Sequence, residues 1–160
     1  MIRYACCLFA LVVSSAFAVQ LTGRVVSIAD GDTITVLDTA NQQHKIRLAG
    51  IDAPEKKQPY GQRSKLHLAS QVFNRQVTVE WDKTDRYQRI VGKVLVNGSD
   101  AKLEQLRAGM AWWYEKYRKE QSPADQRRYR DAEQLARQQK VGLWQDLDPT
   151  PPWDWRHRSR

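Results

Sequence analysis

Between Leu21 and Ile51, β-branched and other apolar residues alternate with polar ones, and the alternation breaks at Asp30-Gly31 and at Thr39-Ala40-Asn41. A period of two with turn residues at the breaks predicts three strands, over residues 21–28, 33–37 and 43–49. The period then changes. Over residues 60–74, Leu66, Ala69, Val72 and Phe73 recur at helical spacing, with Arg63, Lys65 and Gln71 largely on the other side, which predicts a first helix with that apolar face turned inward. Two further strands follow, over residues 77–81 and 90–96, the second ending at the tight-turn pair Asn97-Gly98. Residues 101–108 read as a short helix closed by Gly109. A last helix opens with Ser122 as cap, Pro123 at its first position and Asp125 three residues after the cap, and Gly142 ends it. Pro149-Thr150-Pro151-Pro152 predicts an extended tail that carries Trp153 and Trp155 back onto the domain or out into solvent, packing being the favoured of the two.

Five short strands with helices after the third and the fifth point to an α+β fold, a five-stranded OB-type Greek-key β-barrel with three α-helices. The domain so predicted covers residues 19–148, followed by a Pro-, Trp- and Arg-rich tail over residues 149–160. Residues 1–18 stand apart. Arg3 precedes an apolar run that ends in Ser14-Ser15-Ala16-Phe17-Ala18, the pattern of a secretory signal peptide with an Ala-x-Ala cleavage site. The run is too short for a membrane span, so the expectation is an exported protein, periplasmic or extracellular, with no membrane anchor after cleavage.

Cleavage there removes Cys6 and Cys7. That excludes thiolate metal sites, cysteine nucleophiles and disulfides from the remaining chain. The segment carries one of the 26 basic residues and none of the 18 acidic ones, leaving a net charge of +7. Such a surface attracts polyanions, nucleic acid, lipopolysaccharide and anionic lipid alike, so charge names a class of partner without naming a reaction.

Three clusters carry candidate chemistry. In Asp30-Gly31-Asp32-Thr33, strand parity puts Asp32 on the face of Ile34 and Val36, at the inward end of an apolar row. A carboxylate there is costly to desolvate unless a cation or donors compensate it; the alternative is an Asx turn in which both aspartates only shape the bend. In Ile46-Arg47-Leu48 through Asp52-Ala53-Pro54-Glu55, alternation points Arg47 away from the core row, and Pro54 holds Asp52, the Ala53 carbonyl and Glu55 in one stiff turn. Carboxylates and a carbonyl are hard oxygen ligands, suited to calcium or magnesium. Asp85-Arg86-Tyr87-Gln88-Arg89 supplies a second guanidinium, a group that can bind two phosphate oxygens at once.

The order and spacing of these three clusters resemble the staphylococcal nuclease family, and the likeness continues to Val141-Gly142-Leu143-Trp144. The resemblance implies that Asp32 and Asp52 bind Ca2+ through carboxylates and Ala53 through its carbonyl. It implies that Glu55 activates the attacking water, that Arg47 and Arg89 grip the scissile phosphate, and that Tyr87 lies beside the nucleotide. The implied reaction is calcium-dependent hydrolysis of DNA and RNA by a monomer, leaving 3′-phosphates. Ala53 stands where the family has a familiar threonine, and the segment from Glu55 to Gly61 is shorter. A non-catalytic OB-fold module that binds nucleic acid would need the basic groove but not the three acids. His44, His67 and His157 lack metal-ligand spacing.

Overall fold

The computed structural model describes residues 19–158; the expected signal segment lies outside the described residues. In chain order the elements are β1 (Val19–Ile28), β2 (Thr33–Asp38), β3 (Gln43–Leu48), the two-residue β4 (Ile51–Asp52), α1 (Gly61–Val72), β5 (Gln76–Thr84), β6 (Ile90–Val96), β7 (Ser99–Asp100), α2 (Ala101–Arg107), β8 (Trp112–Trp113), α3 (Pro123–Gln138) and α4 (Pro152–Arg158). The five long strands lie in the order β3-β2-β1-β5-β6, and β3 pairs with β6 to close the barrel. That closing pair is parallel, with Ile46 opposite Ile90 and Arg47 opposite Val91; the others are antiparallel.

Alternation does what it predicts. Val25, Ile34, Val36, Ile46, Leu48, Val79 and Val94 fill the barrel with no exposed surface, each contributing about 1.5 to 3 kcal/mol relative to an exposed side chain. Leu68 and Val72 of α1, Leu106 of α2 and Tyr129 of α3 close it from outside. A second cluster gathers Trp112, Ala136, Leu143 and Trp144, with Tyr60, Val141 and Trp153 packed against it. Arg137 lies over both the Trp112 and the Trp144 ring, 4.8 and 3.8 Å from their centroids. The start of α3 is as expected, with Ser122 Oγ accepting the Asp125 N–H at 3.1 Å.

Three expectations are corrected. Helix α3 ends at Gln138, with Lys140 taking the left-handed φ of 51° after it, so Gly142 is not its terminator. The buried face of α1 is Gly61, Ser64, Leu68 and Val72, while Leu66 and Phe73 are more than half exposed. Ser64 sets that phase because its hydroxyl donates to the Met110 carbonyl at 2.6 Å and it packs directly on Gly31. The tail is extended only as far as Pro151. Pro152, which needs no N–H partner at a first helical position, opens α4, and the Pro151 carbonyl accepts the N–H groups of Asp154 and Trp155.

Candidate active site

The turn before β2 is built for one carboxylate. Asp30 Oδ1 accepts the Asp32 N–H at 3.1 Å, so the Asx-turn reading describes Asp30 and not Asp32. A Cβ on Gly31 would fall 1.8 Å from Ser64 Oγ, and the Gly31 carbonyl accepts from buried Gln105 Nε2 at 2.7 Å. Helices α1 and α2 thus fix the turn from behind and deliver Asp32 to the barrel end, 5% exposed. Its Oδ1 accepts from the Thr33 hydroxyl at 3.0 Å and its Oδ2 from the Ala53 N–H at 2.6 Å. Burial pushes the Asp32 carboxyl up to about 7 against the opposing pull of Arg47, and the charges of Asp30 and Asp52 add to the rise.

Beyond β3 the chain turns at Gly50, whose φ of 74° lies in the left-handed region that favours glycine. It re-enters as β4, where Asp52 pairs with Trp112 of β8 and is 2% exposed. Arg47 leaves the core row as parity requires and joins the two carboxylates. Its Nη1 lies 3.2 Å from Asp32 Oδ2 and its Nη2 3.0 Å from Asp52 Oδ1, with the Leu48 carbonyl accepting from Nη1 at 2.9 Å. One planar guanidinium therefore measures the spacing of two buried acids. The Glu55 N–H donates to Gln58 Oε1 at 3.0 Å, and the Glu55 side chain, 38% exposed, turns toward the same opening.

Arg89 comes from the loop between β5 and β6. Asp85 Oδ1 accepts the N–H groups of Tyr87 and Arg89, and Asp85 Oδ2 accepts Arg89 Nε at 2.8 Å. Arg89 Nη1 reaches Thr33 Oγ1 at 3.5 Å, so it meets the acid cluster through the residue that binds Asp32. Tyr87 is 62% exposed, with the guanidinium groups of Arg86 and Arg89 over its ring at 4.8 and 5.5 Å.

All the residues singled out in the sequence thus lie around one end of the barrel, though not as one contact set. Asp32, Arg47, Asp52 and the Ala53 N–H touch directly, whereas Arg89 stands one residue away and Tyr87 lies outside. Sequence reasoning missed two participants. Thr33 is one; its place beside Asp32 in the turn is the signal that could have found it. Arg156 of α4 is the other, donating through Nη1 to Glu55 Oε1 at 2.7 Å and through Nη2 to Asp52 Oδ2 at 2.8 Å. Its only signal is a basic tail carrying two tryptophans. His44 and His67 lie elsewhere, on Asp38 and Gln105, and His157 is exposed on α4.

Among the described residues no three His, Cys, Asp or Glu side chains stand together as a ready-made metal cage. A cation here would be held by Asp32, Asp52, a backbone carbonyl and water, a donor set of hard oxygens that fits calcium or magnesium. The arginines already on these carboxylates mark the spot as one that takes positive charge.

Residues 45–146 match the family described as staphylococcal nuclease homologue. An Escherichia coli protein named as an uncharacterized endonuclease is 48% identical over 142 residues, which are 88% of each chain. The micrococcal nuclease of Shigella flexneri is 40% identical over 159 residues, covering 94% of this chain and 88% of its own. Protein ParB of Escherichia coli is 41% identical over 168 residues, 99% of this chain and 92% of its own. A closed barrel of five long strands, two buried acids bridged by one arginine, and these relatives lead to one conclusion: the chain belongs to the staphylococcal nuclease family and is a nuclease.

Proposed function

We propose that the protein is an exported, monomeric, calcium-dependent nuclease that hydrolyses phosphodiester bonds of both DNA and RNA and leaves 3′-phosphates. The observation that carries this reading is the Arg47 guanidinium spanning buried Asp32 and Asp52. Two neighbouring carboxylates are costly to desolvate unless cations compensate them, and here they draw in the guanidinium groups of Arg47 and Arg156. The same carboxylates are a good seat for a hard divalent cation shared with a phosphate.

In this reading Asp32, Asp52 and the Ala53 carbonyl hold calcium, which when bound supplies positive charge to a phosphate oxygen and to a water. Glu55 sits at the more open side of the cluster and takes the proton of the attacking water. Arg47 and Arg89 approach the phosphate from two sides, so that charge building on the phosphorus oxygens meets fixed guanidinium donors. Tyr87, exposed beside Arg89, offers a flat face to the neighbouring nucleotide. Among the described residues no helix is long and apolar enough to cross a membrane.

The decisive experiment incubates plasmid DNA and a defined RNA with the purified protein in calcium, in magnesium and in excess chelator, and maps the product ends. Cleavage in calcium that stops in chelator and leaves 3′-phosphates supports the reading. Full activity in chelator, with trace metal excluded, or 5′-phosphate products, would remove it.

A further inference from the structure

The C-terminal helix does more than cover the second core. The Thr150 carbonyl accepts from Gln58 Nε2 at 2.6 Å, tying the tail to the loop that carries Glu55. The Trp153 ring stacks on Tyr114, centroids 5.0 Å apart and planes 7° from parallel, and meets the Trp112 ring edge-on at 5.7 Å. With α4 so placed, Arg156 lies over the carboxylates. Its Nη2 donates to Asp52 Oδ2 at 2.8 Å, and its Nη1 donates to Glu55 Oε1 at 2.7 Å and to Asp52 Oδ1 at 3.3 Å. Arg47 Nη2 already takes Asp52 Oδ1 at 3.0 Å. Both oxygens of Asp52 are therefore engaged by guanidinium donors, and Glu55 is held by the same group.

A carboxylate oxygen in that state has little left for another cation. A divalent ion seated on Asp52 Oδ2 would stand at contact distance from the Arg156 guanidinium, and two positive centres in a partly desolvated site repel strongly. Arg156 and the ion are thus alternatives for the same oxygens. The arginine can yield without unfolding anything, because its long side chain is 41% exposed while Trp153 anchors the helix independently. Once it leaves, Glu55 is freed as well.

We propose that Arg156 is the site's internal counter-cation, competing with the divalent ion for Asp52 while it holds Glu55, and so setting how much free cation the enzyme needs. This rests on the calcium reading above. Thermodynamic linkage requires that removing a competitor raise the affinity of the other ligand, and couplings of this kind are about 5- to 150-fold.

The test is calcium binding by titration calorimetry, without nucleic acid, on the purified protein and its Arg156→Gln, Arg156→Lys and Arg158→Gln variants. Arg158 lies exposed on the same helix and serves as the charge control. Arg156→Gln is expected to bind calcium tighter by about 5- to 150-fold. Arg156→Lys, which keeps the charge but loses the planar fork, falls between it and the unaltered protein, and Arg158→Gln matches the unaltered protein. A thermal melt in chelator confirms that each variant folds; should Arg156→Gln fail to fold, the Arg156→Lys affinity decides, and an unchanged value overturns the proposal. Equal or weaker calcium binding by a folded Arg156→Gln overturns the competition alone. No binding by any chain at millimolar calcium overturns the calcium reading, and the competition with it.

Discussion

Asp85 holds Arg89 at both ends of its carboxylate, Oδ1 accepting the Arg89 backbone N–H at 3.0 Å and Oδ2 its side-chain Nε at 2.8 Å. Although partial burial pushes the other way, the hydrogen bonds from Arg89 and Tyr87 hold the Asp85 carboxyl below the usual range, so it stays ionised and the arginine stays aimed at Thr33. Asp85→Asn removes one charged end of that clamp. Turnover at saturating DNA should fall by about tenfold, equivalent to roughly 1.4 kcal/mol of barrier, with KM little changed. A drop confined to KM would assign Asp85 to substrate attraction instead.

Glu55→Gln keeps the size and the hydrogen bonding of the side chain and removes the base. Turnover should fall by about 10² to 10⁴-fold, while nucleic-acid affinity holds or rises because a negative charge near phosphate has gone. Single-turnover rates beside filter-binding affinities check both halves; normal cleavage by this variant contradicts the assigned mechanism.

The two site arginines should differ in what they do for stability. Arg47 pairs with acids that are 5% and 2% exposed, so Arg47→Ala strands buried charge and should cost about 3 to 5 kcal/mol in chelator, as broken buried pairs do. Arg89 and Asp85 are each more than a fifth exposed, and Arg89→Ala should cost no more than about 1 kcal/mol. Urea unfolding of both variants measures the contrast, and both should lose turnover.

The Ala53 side chain is asked to do nothing. Its N–H binds Asp32 Oδ2 at 2.6 Å, and only its carbonyl is assigned to the cation. Ala53→Thr should leave activity within about tenfold. A change of several hundredfold in initial rate would bring the side chain into the mechanism.

Lys102 sets a pH dependence of stability away from the site. It is 3% exposed, with Nζ 4.8 Å from the centre of the Tyr129 ring, and burial pushes its ammonium down to about 8, against the opposing charge of Asp100. The unfolded chain keeps an ordinary lysine near 10.5. Between about 8 and 10.5 the unfolded state therefore binds more protons, and stability from this group rises with pH across that window. Lys102→Met should flatten the rise, which urea midpoints at pH 7.5, 9 and 10 for both proteins will read out.

Much of this arrangement is legible in the chain because it rests on period-two alternation. The first three strands and β6 start and stop within two residues of where alternation and turn clusters say, while β5 runs on to Thr84 through a register shift after Trp81. The same parity carries Asp32 inward and Arg47 off the core row toward it. The phase of α1 is not legible that way. Ser64 is buried because Gly31 leaves it room and the Met110 carbonyl accepts its proton, a partnership between distant segments that outweighs the apolar tally of Leu66 and Phe73. Arg156 is hidden for a similar reason. It meets Asp52 and Glu55 across more than a hundred residues, and nothing local distinguishes it from Arg158.

The parallel pairing of β3 with β6 has a consequence for when the enzyme can act. Asp32, Arg47, Asp52 and Glu55 all leave the ribosome before residue 56, yet Arg47 is braced by Val91 across the closing pair and Asp52 by Trp112. A nascent chain that has not reached β6 lacks both Arg89 and the strand that seals the barrel. The site is thus assembled from both halves of the sequence: a chain cut short before β6 would lack the strand that seals the barrel, and one cut short before β8 the partner of Asp52.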